Sequence, residues 1–233
     1  MTSSPTLRAL RRELSGRRAV SRVMGDMYPD MAKLLPPAKH GDASLSHVVV
    51  TESMARLDNL TNAMRGAGYL YVEPGTYARL VVNDTLMMTD TPMERRSNRH
   101  FVHTAHGRVL VAGLGIGMIL HAVLRKKEVT HVTVLEKYAD VVALVAPSLA
   151  KYRKRLTIVT TDVHDYRPAK GELFDVVYFD IWPTISTDNL PEIATLHRRA
   201  ARWVDRENPR RWVGSWMAEQ LRYNRDRERR SGW

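Results

Sequence analysis

The chain contains no cysteine. Disulfides, thiolate metal centres and cysteine nucleophiles are therefore excluded. Long hydrophobic runs are missing too. No apolar stretch approaches the roughly 18 residues that a membrane span requires, so no membrane contact is expected. The amino terminus, MTSSPTLRALRRELSGRR, has arginines but lacks the apolar core of a secretory signal, and the expectation is a cytoplasmic protein. Acidic side chains are comparatively scarce, 25 against 36 Lys and Arg, which leaves a net charge of +11 over 233 residues. The basic excess crowds the two ends. Arg8, Arg11, Arg12, Arg17, Arg18 and Arg22 stand at the start, and Arg222, Arg225, Arg227, Arg229 and Arg230 close the chain. Such a bias suits contact with nucleic acid or another polyanion. Asp226 and Glu228 interleave with the last arginines, which is also the pattern of a solvated, salt-bridged helix face.

What is present suffices for a folded core, with 44% hydrophobic residues. Leu7, Leu10 and Leu14 predict a helix over 5–24. Pro36, Pro37 and Gly41 predict a linker near 35–44, and His47-Val-Val-Val-Thr51 a short strand. Met54, Leu57, Leu60 and Met64 recur at helical spacing, with Gly66 and Gly68 closing that helix. Two β-rich runs, Tyr69-Leu-Tyr-Val72 and Tyr77-Ala-Arg-Leu-Val-Val82, flank a Pro-Gly turn and predict a hairpin. Asn83-Asp84 is a second turn signal. Residues 93–105 read as helical. The chain thus divides into an N-terminal helical extension (1–65), a small β-hairpin unit (66–92) and a larger domain with a basic tail (93–233).

From residue 108 onward strand and helix alternate. Strands are expected at 108–112, 131–135, 156–160, 174–179 and 211–216, with helices at 116–127, 139–150 and 187–204. Alternation of this kind implies an α/β, doubly wound, mainly parallel sheet of the Rossmann-like type. The extension and hairpin would cover its ligand edge.

Chemistry-bearing residues fall at successive strand ends. Gly113, Gly115 and Gly117 follow the first strand, Glu136 ends the second, Asp162 follows the third and Asp180 ends the fourth. In an open α/β sheet all of these lie at the carboxyl edge, where ligands bind at the point where the strand order reverses. Glycine lets a ligand approach the backbone, and an acid about twenty residues on suits ribose hydroxyls. The set points to an adenosine-containing ligand. The glycines run G-x-G-x-G, and Met118 stands where a dinucleotide fingerprint needs its third glycine. No Lys-Ser or Lys-Thr follows, which excludes a P-loop.

This ordered set resembles class I S-adenosylmethionine-dependent methyltransferases. The resemblance implies a sheet ordered 3-2-1-4-5 with S-adenosylmethionine as cofactor. Gly113, Gly115 and Gly117 would pass its methionine moiety, Glu136 would bind the ribose and Asp162 would meet the adenine amino group. After residue 66, with the hairpin and Thr91-Pro-Met-Glu-Arg-Arg96 preceding the first Rossmann strand, the chain looks like the spermidine synthase-like branch. It departs from that branch at Ile116, where the branch has an aspartate, and after Asp180. There Ile181-Trp-Pro-Thr184 lacks the second carboxylate of D-x-x-D-P.

Three activities follow as expectations. The first is methyl transfer to an N or O nucleophile, with Asp180 as catalytic residue taking the acceptor's proton. The alternatives are aminopropyl transfer and a non-catalytic binding or assembly module on the same fold. Without cysteine, methylation of cytosine C5 is not expected, and Asp180-Ile-Trp-Pro183 is not the D/N-P-P-Y/F/W motif of amino-methylating nucleic-acid enzymes. Trp182 either stacks on a planar substrate or packs. His100, His103 and His106 form a ladder without a carboxylate at ligand spacing, so no metal site is assigned. His106 falls close to the glycine loop in sequence, where it would contact the cofactor. Tyr69, Tyr71 and Tyr77 either line a substrate mouth or pack in the sheet.

Overall fold

The computed structural model describes residues 27–64 and 70–231. The helix expected over 5–24 lies outside the described residues, as do Gly66, Gly68 and Tyr69.

The larger sheet has five parallel strands: β5 (Gly107–Ala112), β6 (Val129–Glu136), β7 (Leu156–Thr160), β8 (Val176–Phe179) and β9 (Trp212–Ser215). They lie side by side as β7-β6-β5-β8-β9, which is the expected 3-2-1-4-5 order. β5 is central, so both its faces are covered and Val109, Leu110, Val111 and Ala112 are all buried. Alternate residues serve opposite layers. Val109 and Val111 pack with α5 (Met118–Val123) and α6 (Ala139–Val145) in one cluster. Leu110 and Ala112 pack in the other, with Ile193 and Leu196 of α7 (Leu190–Ala200) and Leu221 of α8 (Ala218–Ser231). The result is the α/β Rossmann-like architecture.

In front of it stands a four-stranded antiparallel sheet, β1 (Ala38–His40), β2 (Ala43–Val50), β3 (Gly75–Val82) and β4 (Thr85–Thr89), ordered β1-β2-β3-β4. Two readings need correction here. The linker expected at 35–44 is mostly strand and turn: β1 and the start of β2 fall in it, and β2 runs on into the strand expected at 47–51. The hairpin expected around Pro74-Gly75 does not form either. β3 pairs with β2 from Ala43↔Val82 to Val50↔Gly75. Val72 is held instead by a side chain: Asn59 of α2 (Glu52–Met64) accepts from its N–H and donates to its carbonyl, both at 2.8 Å. A single amide thus supplies the donor and acceptor that a neighbouring strand would have offered. The true hairpin is β3–β4, whose Asn83 and Asp84 have φ of 48° and 59°, the two left-handed residues of a type I′ turn.

The two sheets are joined at Asp140 of α6. Its carboxylate accepts from the Asp42 N–H at 3.1 Å and meets His40 Nδ1 at 2.9 Å, so the β1–β2 turn sits on the Rossmann layer. Between the sheets, the helix expected over 93–105 is two short ones, α3 (Pro92–Ser97) and α4 (Arg99–Thr104), broken at Asn98. α1 (Met31–Leu34) precedes β1, with Met31 fully buried.

Candidate active site

The carboxyl ends of β5, β6, β7 and β8 open onto one cavity of about 360 Å³, roofed by Leu80, Val82, Met87 and Met88 of the small sheet. That volume lies within the range of small-molecule sites. Gly113, Gly115, Glu136, Asp162 and Asp180 all line it.

The glycine loop has its shape for three local reasons. Gly113, Gly115 and Gly117 have φ of 99°, 50° and 76°, where an L side chain is strained. Gly113 sits against the Asp180 carbonyl, leaving no space for a β-carbon. Gly117 itself does not line the cavity; its N–H donates to Leu114 O at 2.9 Å and closes the turn into α5.

Glu136 secures the loop from the neighbouring strand. Its Oε2 accepts from the Leu114 N–H and its Oε1 from the Tyr138 N–H, both at 2.9 Å. Burial raises its pKa, and the N–H groups of Tyr138, Leu114, Lys137 and Gly115 oppose that rise. Asp162 is more open. It accepts from the His164 N–H at 2.9 Å and pairs with Lys137 at 3.1 Å, and these hold its carboxyl below the usual range, the N–H foremost.

Asp180 is partly exposed, yet burial pushes its pKa up to about 7. A second acid, given no role above, lines the same cavity: Glu94, the buried residue of α3. Burial, then the charge of Asp180, pushes it up to about 8. Its signal in the sequence was a register. Glu94, Asn98, Phe101 and Val102 recur at helical spacing, and two of these inward positions are polar where an ordinary packing stripe is apolar.

Glu192 also went unread. Its Oε2 accepts from Trp182 Nε1 at 2.6 Å and its Oε1 meets His164 Nε2 at 2.8 Å, which ties the loops after β7 and β8 together at the Asp162 end. Trp182, 8% exposed, lines the wall. Other expected contributors lie elsewhere. His106 precedes β5 at the opposite, amino end of the strand and faces Thr104 O and Asn208, so it does not reach the glycine loop. The loop and His106 are close in sequence, but β5 separates them. Tyr77 donates to Glu73 O and Tyr71 lies beside Arg96; neither lines the cavity. Among the described residues no cluster of His, Asp or Glu is arranged to hold a metal ion. No helix among them is long and apolar enough to cross a membrane.

No family model matches the sequence, and no curated protein matches it. The similar solved structures are mostly methyltransferases, with a spermidine synthase among them. The N-methyltransferase NodS from Bradyrhizobium japonicum WM9 is 14% identical over 50% of this chain and 65% of its own, with a TM-score of 0.37. Spermidine synthase from Thermotoga maritima is 16% identical over 58% and 53%, with a TM-score of 0.38. A putative O-methyltransferase from Klebsiella pneumoniae is 16% identical over 47% and 49%, with a TM-score of 0.34. The chain spans between about half and two-thirds of the length of these three.

Proposed function

We propose that the protein is an S-adenosylmethionine-dependent methyltransferase acting on a nitrogen or oxygen nucleophile. The observation that carries this reading is convergence: the left-handed glycine loop, Glu136, Asp162 and Asp180 meet at one cavity where the strand order reverses. The residues fit the donor. The loop carries no side chain at Gly113 and Gly115, Glu136 stands at the end of β6 on the cavity wall where ribose hydroxyls would be met, and Asp162 keeps an acceptor position for the adenine amino group. When bound, S-adenosylmethionine supplies an electrophilic methyl group on its sulfonium.

The chain's own contribution is positioning and proton handling. Leu80, Val82, Met87 and Met88 place an apolar roof over the cavity. Asp180, with a proton affinity near neutrality, accepts the proton that the attacking N–H or O–H must lose. A second reading, aminopropyl transfer, draws on Glu94, which joins Asp180 as the second acid that the motif after β8 lacks.

Calorimetric titration with S-adenosylmethionine, its decarboxylated form and NAD separates these readings. Binding of S-adenosylmethionine in preference to the other two is expected. Preference for the decarboxylated form would promote aminopropyl transfer, and binding of none would sink both.

A further inference from the structure

We propose that a row of arginines on α7 and on the turn after β7 (Arg198, Arg199, Arg202 and Arg167) is a docking surface for the phosphate backbone of a nucleic acid. The surface stands outside the cavity and does not depend on the methyl-transfer reading.

The row follows from the helix period. Leu190, Ile193, Leu196 and Ala200 turn one face of α7 to the core, which leaves Arg198 exposed on the opposite face. Arg202 is exposed in the turn that continues the helix, where its N–H donates to Arg199 O at 3.1 Å. Four residues of helical rise set these two arginines about 6 Å apart along the axis. Arg199 lies on the flank. Its guanidinium stands 5.3 Å from the centre of the Trp203 ring and donates to Val163 O at 3.3 Å and Tyr166 O at 3.1 Å. Arg167 meets the same turn and donates to His164 O at 2.8 Å and Tyr166 O at 2.7 Å. Two guanidinium groups therefore share one carbonyl oxygen.

No carboxylate answers this cluster. None of the four arginines pairs with an Asp or Glu among the described residues, and Arg198 donates to Thr195 Oγ1 at 3.0 Å. Asp162 is taken by Lys137 at 3.1 Å. Burial, then the charges of Arg167 and Arg202, lowers the pKa of Arg199, and the opposing pull of Asp165 and Asp162 is weaker. The end of a helix offers cations about half a negative charge, which suits one arginine and not four. Like charges held this close are relieved by an anion, and the planar fork of arginine meets phosphate oxygens in pairs.

The arrangement selects a polymer over a single phosphate. The cations are strung along a helix and a turn, and a nucleic acid carries a charge at every nucleotide to match them. The net charge of +11 adds a favourable field at longer range. Val163 and His164, whose carbonyls hold Arg199 and Arg167, also line the cavity, so a strand on the row runs beside its Asp162 end.

The test is fluorescence anisotropy of a labelled 12-nucleotide single-stranded RNA with the full chain, from 50 to 200 mM salt. Binding is expected, with affinity falling steeply as salt rises. Arg167→Gln with Arg202→Gln is expected to weaken RNA about tenfold at 100 mM salt and to make the log–log salt slope shallower by about 1.4, since each phosphate contact on a single strand contributes about 0.7. Arg202→Glu leaves the turn after β7 untouched and should weaken RNA by about fivefold or more. Thermal midpoints show that the variants are folded. Lys33→Gln with Lys39→Gln removes the same charge elsewhere and should change binding by less than about twofold. Equal losses in the lysine and arginine pairs overturn the proposal, as does a lack of RNA binding at 50 mM salt. An oligoglutamate of equal charge that binds as tightly as the RNA would assign the row to an acidic protein and overturn the nucleic-acid assignment. S-adenosylmethionine affinity should stay unchanged in the arginine variants, because neither side chain lines the cavity. RNA binding that depends on the arginines supports the surface even if S-adenosylmethionine fails to bind. Donor binding without it refutes the surface and spares the methyl-transfer reading.

Discussion

The α-carbon of Gly113 lies against the carbonyl oxygen of Asp180, so the ends of the two central strands touch where their ligand-facing residues begin. A methyl group at Gly113 has nowhere to go, and φ of 99° adds strain. Gly113→Ala is therefore expected to destabilise the protein by about 2–4 kcal/mol and to abolish donor binding. Chemical denaturation and donor titration measure the two effects.

Glu136 holds Leu114 and faces the cavity at once. Glu136→Ala takes the acceptor from the buried Leu114 N–H and the half-buried Tyr138 N–H and removes the expected ribose contact. Donor affinity should fall by about tenfold or more, in line with about 1.4 kcal/mol per tenfold. A variant that binds the donor as well as wild type would refute the ribose assignment.

Removing the Glu94 carboxylate should make the fold more stable, in a pH-dependent way. Burial raises its proton affinity to about 8 from an ordinary value near 4.5. The folded state therefore holds a proton that the unfolded state releases between those values, so stability is full at low pH and is lost as pH rises toward 8. Glu94→Gln escapes that loss. Its stabilisation over wild type should be small at pH 5 and on the order of 2–4 kcal/mol at pH 8, read as the difference in thermal midpoint at the two pH values.

Lys126 caps α4. Its ammonium donates to the carbonyls of Val102, His103 and Ala105 at 2.7, 2.9 and 2.6 Å. Lys126→Met keeps the stem and removes three charge-assisted bonds at a helix end, so a loss of about 2 kcal/mol is expected. Donor affinity should stay unchanged, because Lys126 does not line the cavity.

α8 carries five arginines on an exposed helix. As a proposed contact for a polyanion, it should retain a short DNA duplex at low salt and release it steeply as salt rises, because each neutralised phosphate frees counterions. Retention that does not weaken with salt would argue against this contact.

The large sheet was legible because its signals are local and redundant. Val109 to Ala112 run apolar into a glycine turn, and each of the next three strands leads to an acid, Glu136, Asp162 and Asp180. The small sheet was not legible, because its pairing is long-range. Tyr69 to Val72 have strand-like composition, yet Asn59 takes the hydrogen bonds of Val72, and β2 wins β3 by an eight-residue register. Glu94 and Glu192 escaped for a similar reason. Glu94 was read only as part of the segment Thr91-Pro-Met-Glu-Arg-Arg96 and Glu192 as part of a helix, and what sets them apart is where the fold places them: Glu94 on the cavity wall, Glu192 against Trp182.

The thioether of Met88 sits 2.5 Å from where a β-carbon of Gly115 would stand, so ceiling and floor of the cavity already meet across a glycine. Anything that settles on the loop has to push that sulfur aside. Methionine is the most pliant of the apolar side chains, and it is carried on β4, the outer strand of a sheet that Asp140 tethers at its far edge. Arrival of a ligand is thereby felt first as a rotamer change in one flexible side chain, and only through it by the strand that bears it. Occupancy of the glycine loop has a reporter in the Met88 methyl resonance, which a single isotopic label can follow.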